Sequence, residues 1–176
     1  DAIDRYKPTN VVLDPVMTAK DASFLLEFAD LDYLQKSLFP RAYLITPNLF
    51  ETQKIMNKSI ASLAEMEQAA KNIGQQYQVN TLIKGGHLSS SDSSDVLYSY
   101  QEKSIDWFHS KRINTHNTHG TGCTLSSAIA SYLAQNYSLK EAIQLGKDYL
   151  THAILAGSTL RIGQGNGPVD HFYFLR

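Results

Sequence analysis

The sequence predicts an α/β fold built on a mostly parallel central sheet, and three observations carry that expectation. Three short apolar runs each stop at a polar residue: Val11-Val12-Leu13 before Asp14, Tyr43-Leu44-Ile45 before Thr46, and Thr81-Leu82-Ile83 before Lys84. The runs are continuous and do not alternate, as expected for strands buried on both faces of a parallel sheet. Helical patterns fill the intervals between them, which is the spacing of right-handed strand–helix–strand units.

Taken in order, the first run ends at Asp14-Pro15 and is followed by a helical pattern from about Ser23 to Lys36. The second ends at Thr46-Pro47, and helices are expected over Leu49–Met56 and Ser62–Gln76. Gly85-Gly86 closes the third; proline and glycine both stop a strand sharply. Ser89 to Ser94 reads as a polar, solvated connection. Asp95–Tyr100 and Ser104–His109 are β-rich runs joined by a three-residue turn, Gln101-Glu102-Lys103, and predict an antiparallel hairpin. Two helices close the chain. Leu125, Ala128, Ile129, Tyr132 and Leu133 share one face of the first; Leu139, Ala142, Ile143, Gly146, Tyr149, Leu150, Ala153 and Ile154 stripe the second. Gly163-Gln164-Gly165-Asn166-Gly167-Pro168 follows the second helix and reads as its terminating turn. With no repeat and no linker, residues 1–176 are expected to form a single domain.

Composition narrows the function. The 176 residues are 43% hydrophobic and 19% charged, as in a globular chain. Sixteen Lys+Arg against 17 Asp+Glu give a formal net charge of -1, which supports neither nucleic-acid nor membrane-surface binding. No apolar segment is long enough to span a bilayer. The single cysteine, Cys123, cannot form an internal disulfide, and a reducing, cytoplasmic setting is expected. In that setting the sequons Asn57-Lys58-Ser59 and Asn136-Tyr137-Ser138 carry no meaning.

Ligands of open parallel sheets sit beyond the carboxyl ends of the strands. A carboxylate, a hydroxyl and an ammonium, Asp14, Thr46 and Lys84, are expected there. The stretch "NTHGTGCTLSSAIASYLA", residues 117–134, opens a helix on Gly120-Thr121-Gly122-Cys123. Its glycines let backbone N–H groups face an anion, and a helix start favours negative charge. An anion site, a lysine and a carboxylate suggest phosphoryl transfer with a metal ion. Asn48 and Glu51 have the spacing of a capping box, while Glu51 could also serve Mg²⁺, which takes only one or two carboxylates. Cys123 stands where a helix start favours the thiolate, so it could be a base, or a nucleophile with His116 or His119 as partner. Neither the Walker A string nor G-x-G-x-x-G is present; Leu125 stands where the latter needs its third glycine.

"VVLDPVM", "LITPNLFE", "LIKGGH", "DVLY" and above all the block around His119-Gly120-Thr121-Gly122-Cys123 resemble the hydroxymethylpyrimidine/phosphomethylpyrimidine kinases of thiamine biosynthesis, a branch of the ribokinase-like superfamily. The likeness runs in order from about Val11 to Phe174. It implies a three-layer α/β/α ribokinase-like fold and transfer of phosphate from ATP, with Mg²⁺, to 4-amino-5-hydroxymethyl-2-methylpyrimidine and then to its monophosphate. By the resemblance, Cys123 holds the place of the catalytic base, which is aspartate in many superfamily members. Gly120, Thr121 and Gly122 hold the anion hole. Asp14, Thr46, Asn48, Lys84 and Thr118 belong to the nucleotide site, and Glu51 with Asp14 to the metal. A homodimer fits the superfamily habit. Family members open with a glycine-rich strand-and-loop region, and nothing before Val11 corresponds to it. The first strands of the sheet are therefore expected to be missing, and the chain alone to be unstable, inactive or in need of a partner. Pyridoxal kinase is the alternative enzyme, and an inactive nucleotide-binding module the alternative from another class.

Overall fold

In the computed structural model, residues 2–17, 28–86 and 92–175 are described. The first part of the helical pattern expected from Ser23, and residues 87–91 of the polar connection, lie outside them. The chain forms two compact units, Asp1–His109 and Ser110–Arg176.

The first unit carries a five-stranded sheet in the order β1 (Val12–Leu13), β2 (Leu44–Ile45), β3 (Asn80–Lys84), β4 (Asp92–Ser99), β5 (Ser104–Lys111). The three apolar runs become β1, β2 and β3. They pair in parallel, with Leu13 beside Ile45 and Ile45 beside Thr81. β3 then runs antiparallel to β4, with Ile83 opposite Val96 and Lys84 opposite Asp95. Thr81, Leu82 and Ile83 are all buried, so both faces of β3 are covered, as their unbroken apolar run required. β1 is only half-buried, consistent with its place at the sheet edge.

A short helix, α1 (Ala2–Tyr6), precedes β1 and had no counterpart in the sequence reading. The first expected crossover helix is described from α2 (Phe28–Tyr33) onward. Beyond it the backbone widens into a π-type turn over Leu34–Leu38 and tightens into a 3₁₀ turn over Phe39–Arg41. Pro40 explains the change of winding, since it has no N–H to donate. α3 (Leu49–Met56) and α4 (Leu63–Tyr77) match expectation closely, and each opens on a full capping box, Asn48 with Glu51 and Ser62 with Glu65. Met66, Ala69 and Ala70 of α4 pack with Ile83, Val96 and Tyr98 in one apolar cluster. Ile73 joins Phe39, Ile45 and Val79 in a second, where the Phe39 and Tyr77 rings meet edge to face at 5.2 Å.

Three details of the sequence reading need correction. β4 begins at Asp92, so the last residues of the expected polar connection are strand; Ser94 Oγ pairs with His109 Nδ1 at 2.9 Å. The turn before β5 has four residues, Tyr100 to Lys103, with Lys103 at φ 52°. Glycines 163–167 do not end a helix, because α6 stops at Gly157 and Ser158 caps it.

The second unit is a helical pair, α5 (Thr121–Ala134) and α6 (Leu139–Gly157), followed by a 3₁₀ turn at Tyr173–Leu175. Leu125, Ile129 and Leu133 form the buried face of α5, and Ala142, Ile143, Gly146 and Ala153 that of α6. Lys147 is buried among the latter, which the apolar stripe did not anticipate. The two sequon asparagines, Asn57 and Asn136, lie just past helix ends in left-handed backbone, at φ 47° and 67°. Asparagine tolerates that conformation better than most residues, which gives both a local reason. Among the described residues, no helix is long and apolar enough to cross a membrane.

Candidate active site

In the first unit, the polar residues that end the three parallel strands converge. Lys84 Nζ lies 2.7 Å from Asp14 Oδ1, and both side chains are mostly shielded from solvent. Thr46 Oγ1 donates to the same carboxylate oxygen at 3.2 Å. The pairing of β2 and β3 continues past the strand ends. Lys84 N–H donates to the Pro47 carbonyl at 2.9 Å, and Asn48 bridges Lys84 in parallel register. The helix α3 is thereby launched from beside the lysine.

Its capping box is complete: Glu51 N–H donates to Asn48 Oδ1 at 2.9 Å, and Asn48 N–H to Glu51 Oε2 at 2.7 Å. The cap and the expected place in the nucleotide site therefore fall on the same two residues. Glu51 is only 3% exposed. Burial raises the affinity of its carboxyl for a proton above the ordinary value, opposed by the Lys84 charge and by N–H donation from Asn48 and Met17, while Asp14 adds to the rise. Two carboxylates and one ammonium thus share a partly buried cluster of net negative formal charge. Among the described residues no group of three or more His, Cys, Asp or Glu side chains is set to hold a metal. Asp14 and Glu51 suit Mg²⁺ nonetheless, because that ion is content with one or two carboxylates, water and phosphate oxygens. The Met17 contribution was not legible beforehand, since a backbone donor leaves no side-chain signature.

In the second unit the Gly120 block opens α5. Gly120 is the N-cap residue in left-handed backbone, φ +82°, and a Cβ there would meet nothing within 4 Å. Its requirement for glycine is thus conformational, not steric. The intrahelical ladder begins with Thr124 N–H on the Gly120 carbonyl at 2.8 Å. The N–H groups of Thr121, Gly122 and Cys123 precede that bond and lack intrahelical acceptors. No side chain caps this helix. Thr121 Oγ1 donates to the Thr118 carbonyl at 3.2 Å, and His119 N–H to the Gly167 carbonyl at 3.0 Å, which fixes the approach to the helix. Asn117 Nδ2 ties the same approach to the carbonyls of Gly157 and Leu160, each at 2.7 Å. Cys123, the third residue of α5, is exposed. Its thiol is not a packed apolar filler.

These features define a class first. A pyridoxal kinase from Bacillus subtilis, solved with ADP, superposes with a TM-score of 0.87 at 34% identity, over 98% of this chain and 64% of that one. The fold is that of the ribokinase-like small-molecule kinases. The phosphomethylpyrimidine kinase family model matches residues 1–170, and the chain belongs to that family. A bifunctional thiamine biosynthesis protein from Geobacter sulfurreducens is 43% identical over 169 residues, 96% of this chain and 34% of its own length. The hydroxymethylpyrimidine/phosphomethylpyrimidine kinase of Escherichia coli is 37% identical, over 97% of this chain and 64% of its own. The chain thus spans between about one third and just under two thirds of these curated relatives.

Proposed function

We propose that the protein carrying this chain transfers the γ-phosphoryl group of ATP to 4-amino-5-hydroxymethyl-2-methylpyrimidine and then to its monophosphate. In this reading Asp14, Thr46, Asn48 and Lys84 bind the nucleotide phosphates, and nucleotide binding is the role assigned to Thr118 as well. Asp14 and Glu51 would hold Mg²⁺, which when bound neutralises phosphate charge. The Cys123 thiolate takes the proton of the substrate hydroxyl as its oxygen attacks the γ-phosphorus. A new O–P bond forms, the bond to the β-phosphate oxygen breaks, and ADP leaves. The N–H groups of Thr121, Gly122 and Cys123 stabilise charge on the moving phosphoryl oxygens, as an oxyanion hole does. We infer a cytoplasmic setting from the single unpaired cysteine and a homodimer from the superfamily resemblance.

The single observation that supports the reading most is the start of α5: an uncapped helix with a left-handed glycine at its head and an exposed thiol in its first turn. Pyridoxal kinase is the second reading, favoured by the similarity of fold. Turnover with Mg–ATP on the pyrimidine alcohol, its monophosphate and pyridoxal, measured side by side, separates them. The expected result is turnover on both pyrimidines in preference to pyridoxal; the reverse order installs the alternative. Mg–ATP binding without transfer to any of the three would reduce the chain to a nucleotide-binding module.

A further inference from the structure

The strand residues Asp95 to Tyr98 carry part of the family likeness, yet the chemistry above gives the Asp95 carboxylate nothing to do. Asp95 is 4% exposed and stands directly opposite Lys84 in the ladder of β3 and β4. Its Oδ1 accepts the N–H of Gly85, the residue after Lys84, at 3.0 Å. Gly85 itself is pressed against β4: a Cβ there would collide with the Ser94 carbonyl oxygen and would lie 3.0 Å from Met66 Cε. Only glycine lets the backbone come so close. The peptide leaving Lys84 is thus gripped on the β4 side by Asp95, while Lys84 N–H is held on the β2 side by the Pro47 carbonyl.

We propose that Asp95 is a positioning residue for Lys84, fixing the end of β3 through the Gly85 amide so that the ammonium is presented beside Asp14. The proposal rests on the reading of Lys84 as a phosphate-binding lysine. A hydrogen bond to a buried carboxylate is charge-assisted and among the stronger kinds. Without it the buried Gly85 N–H loses this acceptor, and the turn relaxes toward any other acceptor. Lys84 stands next in the chain and moves with it. A displacement of about 1 Å in a group that orients a reacting phosphate can cost about 10²-fold in rate.

The test uses the protein that carries this chain, as wild type, Asp95→Ala and Asp95→Asn, with Asp14→Asn as a reference. Calorimetry measures affinity for Mg–ATP and for adenosine, and NMR follows the Lys84 ε-carbon resonance. In Asp95→Ala, Mg–ATP affinity is expected to fall by about ten- to a hundredfold, the worth of a weakened hydrogen bond between charged groups. Adenosine affinity stays unchanged, and the Lys84 resonance moves toward its position in Asp14→Asn. The amide oxygen of Asp95→Asn keeps the Gly85 bond and restores both readouts. A merely structural role would weaken adenosine and Mg–ATP alike, and that result overturns the proposal. So does a Lys84 resonance left at its wild-type position in Asp95→Ala. If wild type fails to bind Mg–ATP, the phosphate reading of Lys84 falls, and the resonance alone decides the role of Asp95. Should Asp95→Ala not fold, Asp95→Asn carries the test: a displaced Lys84 resonance there overturns the proposal, and an unmoved one supports it.

Discussion

The second unit builds two helix starts in opposite ways. α6 opens on Ser138, whose hydroxyl accepts the Glu141 N–H and whose own N–H donates to Glu141 Oε2 at 3.0 Å. α5 opens on Gly120, which has no side chain, and Cys123 stands at the third helical position where α6 has Glu141. Glu51 in α3 and Glu65 in α4 occupy that same position and also close capping boxes. A capping box secures the N-terminal N–H groups of a helix from within. Where the box is absent, those groups are left for something else, and the residue that would have closed it is a thiol. The glycine cap gives up only about a few tenths of a kcal/mol of stability relative to a capping side chain, and it leaves the first N–H groups of α5 without a side-chain acceptor.

Three experiments can break or sharpen that contrast. Cys123→Ala, in the protein that carries this chain, is expected to lower turnover by about 10²- to 10⁴-fold, the usual worth of a general base. Its KM for ATP should hardly move; wild-type turnover in steady-state kinetics would remove the thiol from the mechanism.

A smaller effect separates the capping glutamates. Burial raises the Glu51 carboxyl, whereas hydrogen bonds from Ala61 and from Ser138 hold the exposed Glu65 and Glu141 below the usual range. From the ordinary glutamate value of 4.5 up to the raised one, the folded chain holds the Glu51 proton more tightly than the unfolded chain does. Its contribution to stability therefore falls as pH rises through that window. For Glu65 and Glu141 the sign is opposite: their stabilisation is present above 4.5 and lost as pH falls through the lowered values. Thermal melts of wild type and Glu51→Gln across this range should diverge, with the variant gaining relative to wild type toward neutrality. Mg²⁺ titration should show affinity weakening as the pH drops and Glu51 protonates. Parallel pH profiles for the two proteins would mean that Glu51 is an ordinary cap.

The smallest effects come from the helix heads themselves. Ser138→Ala should cost about 1 kcal/mol of stability. Gly120→Ala should cost about 1–2 kcal/mol, because a Cβ there has room but an unfavourable backbone conformation. Melting would barely tell the two apart. Calorimetry with Mg–ATP should: binding weakens in Gly120→Ala and is unaffected in Ser138→Ala.

Much of this was legible in the residues. Unbroken apolar runs gave away β1 to β3; β2 and β3 are covered and need no alternation, while β1 is half-buried, and the polar residue after each run reached the cluster as expected. Gly-Thr-Gly-Cys announced an unusual helix head because two glycines are costly inside a helix. What stayed hidden has a common physical cause. Pro40 changes the winding after α2 without altering the apolar pattern. The burial of Lys147 interrupts an apolar stripe that is otherwise helical in period. The hydrogen bond from Gly85 to Asp95 spans ten residues and uses a backbone donor, so no local pattern encodes it. Asn48 and Glu51 were ambiguous for a different reason. Cap and ligand need the same spacing; the capping box is formed, and ligation by the same pair is the proposed second role.

The unequal lengths of the sheet ladders bear on how the cluster behaves in motion. β1 is fastened to β2 by two register pairs, whereas β3 is braced by four across its antiparallel side. Local opening draws on the segments with fewest contacts. Lys84 is therefore fixed mainly through its backbone, by β4 and the Pro47 carbonyl, whereas Asp14 depends on its side-chain bonds to Lys84 and Thr46. The ammonium is anchored along its strand, and the carboxylate through its own oxygen.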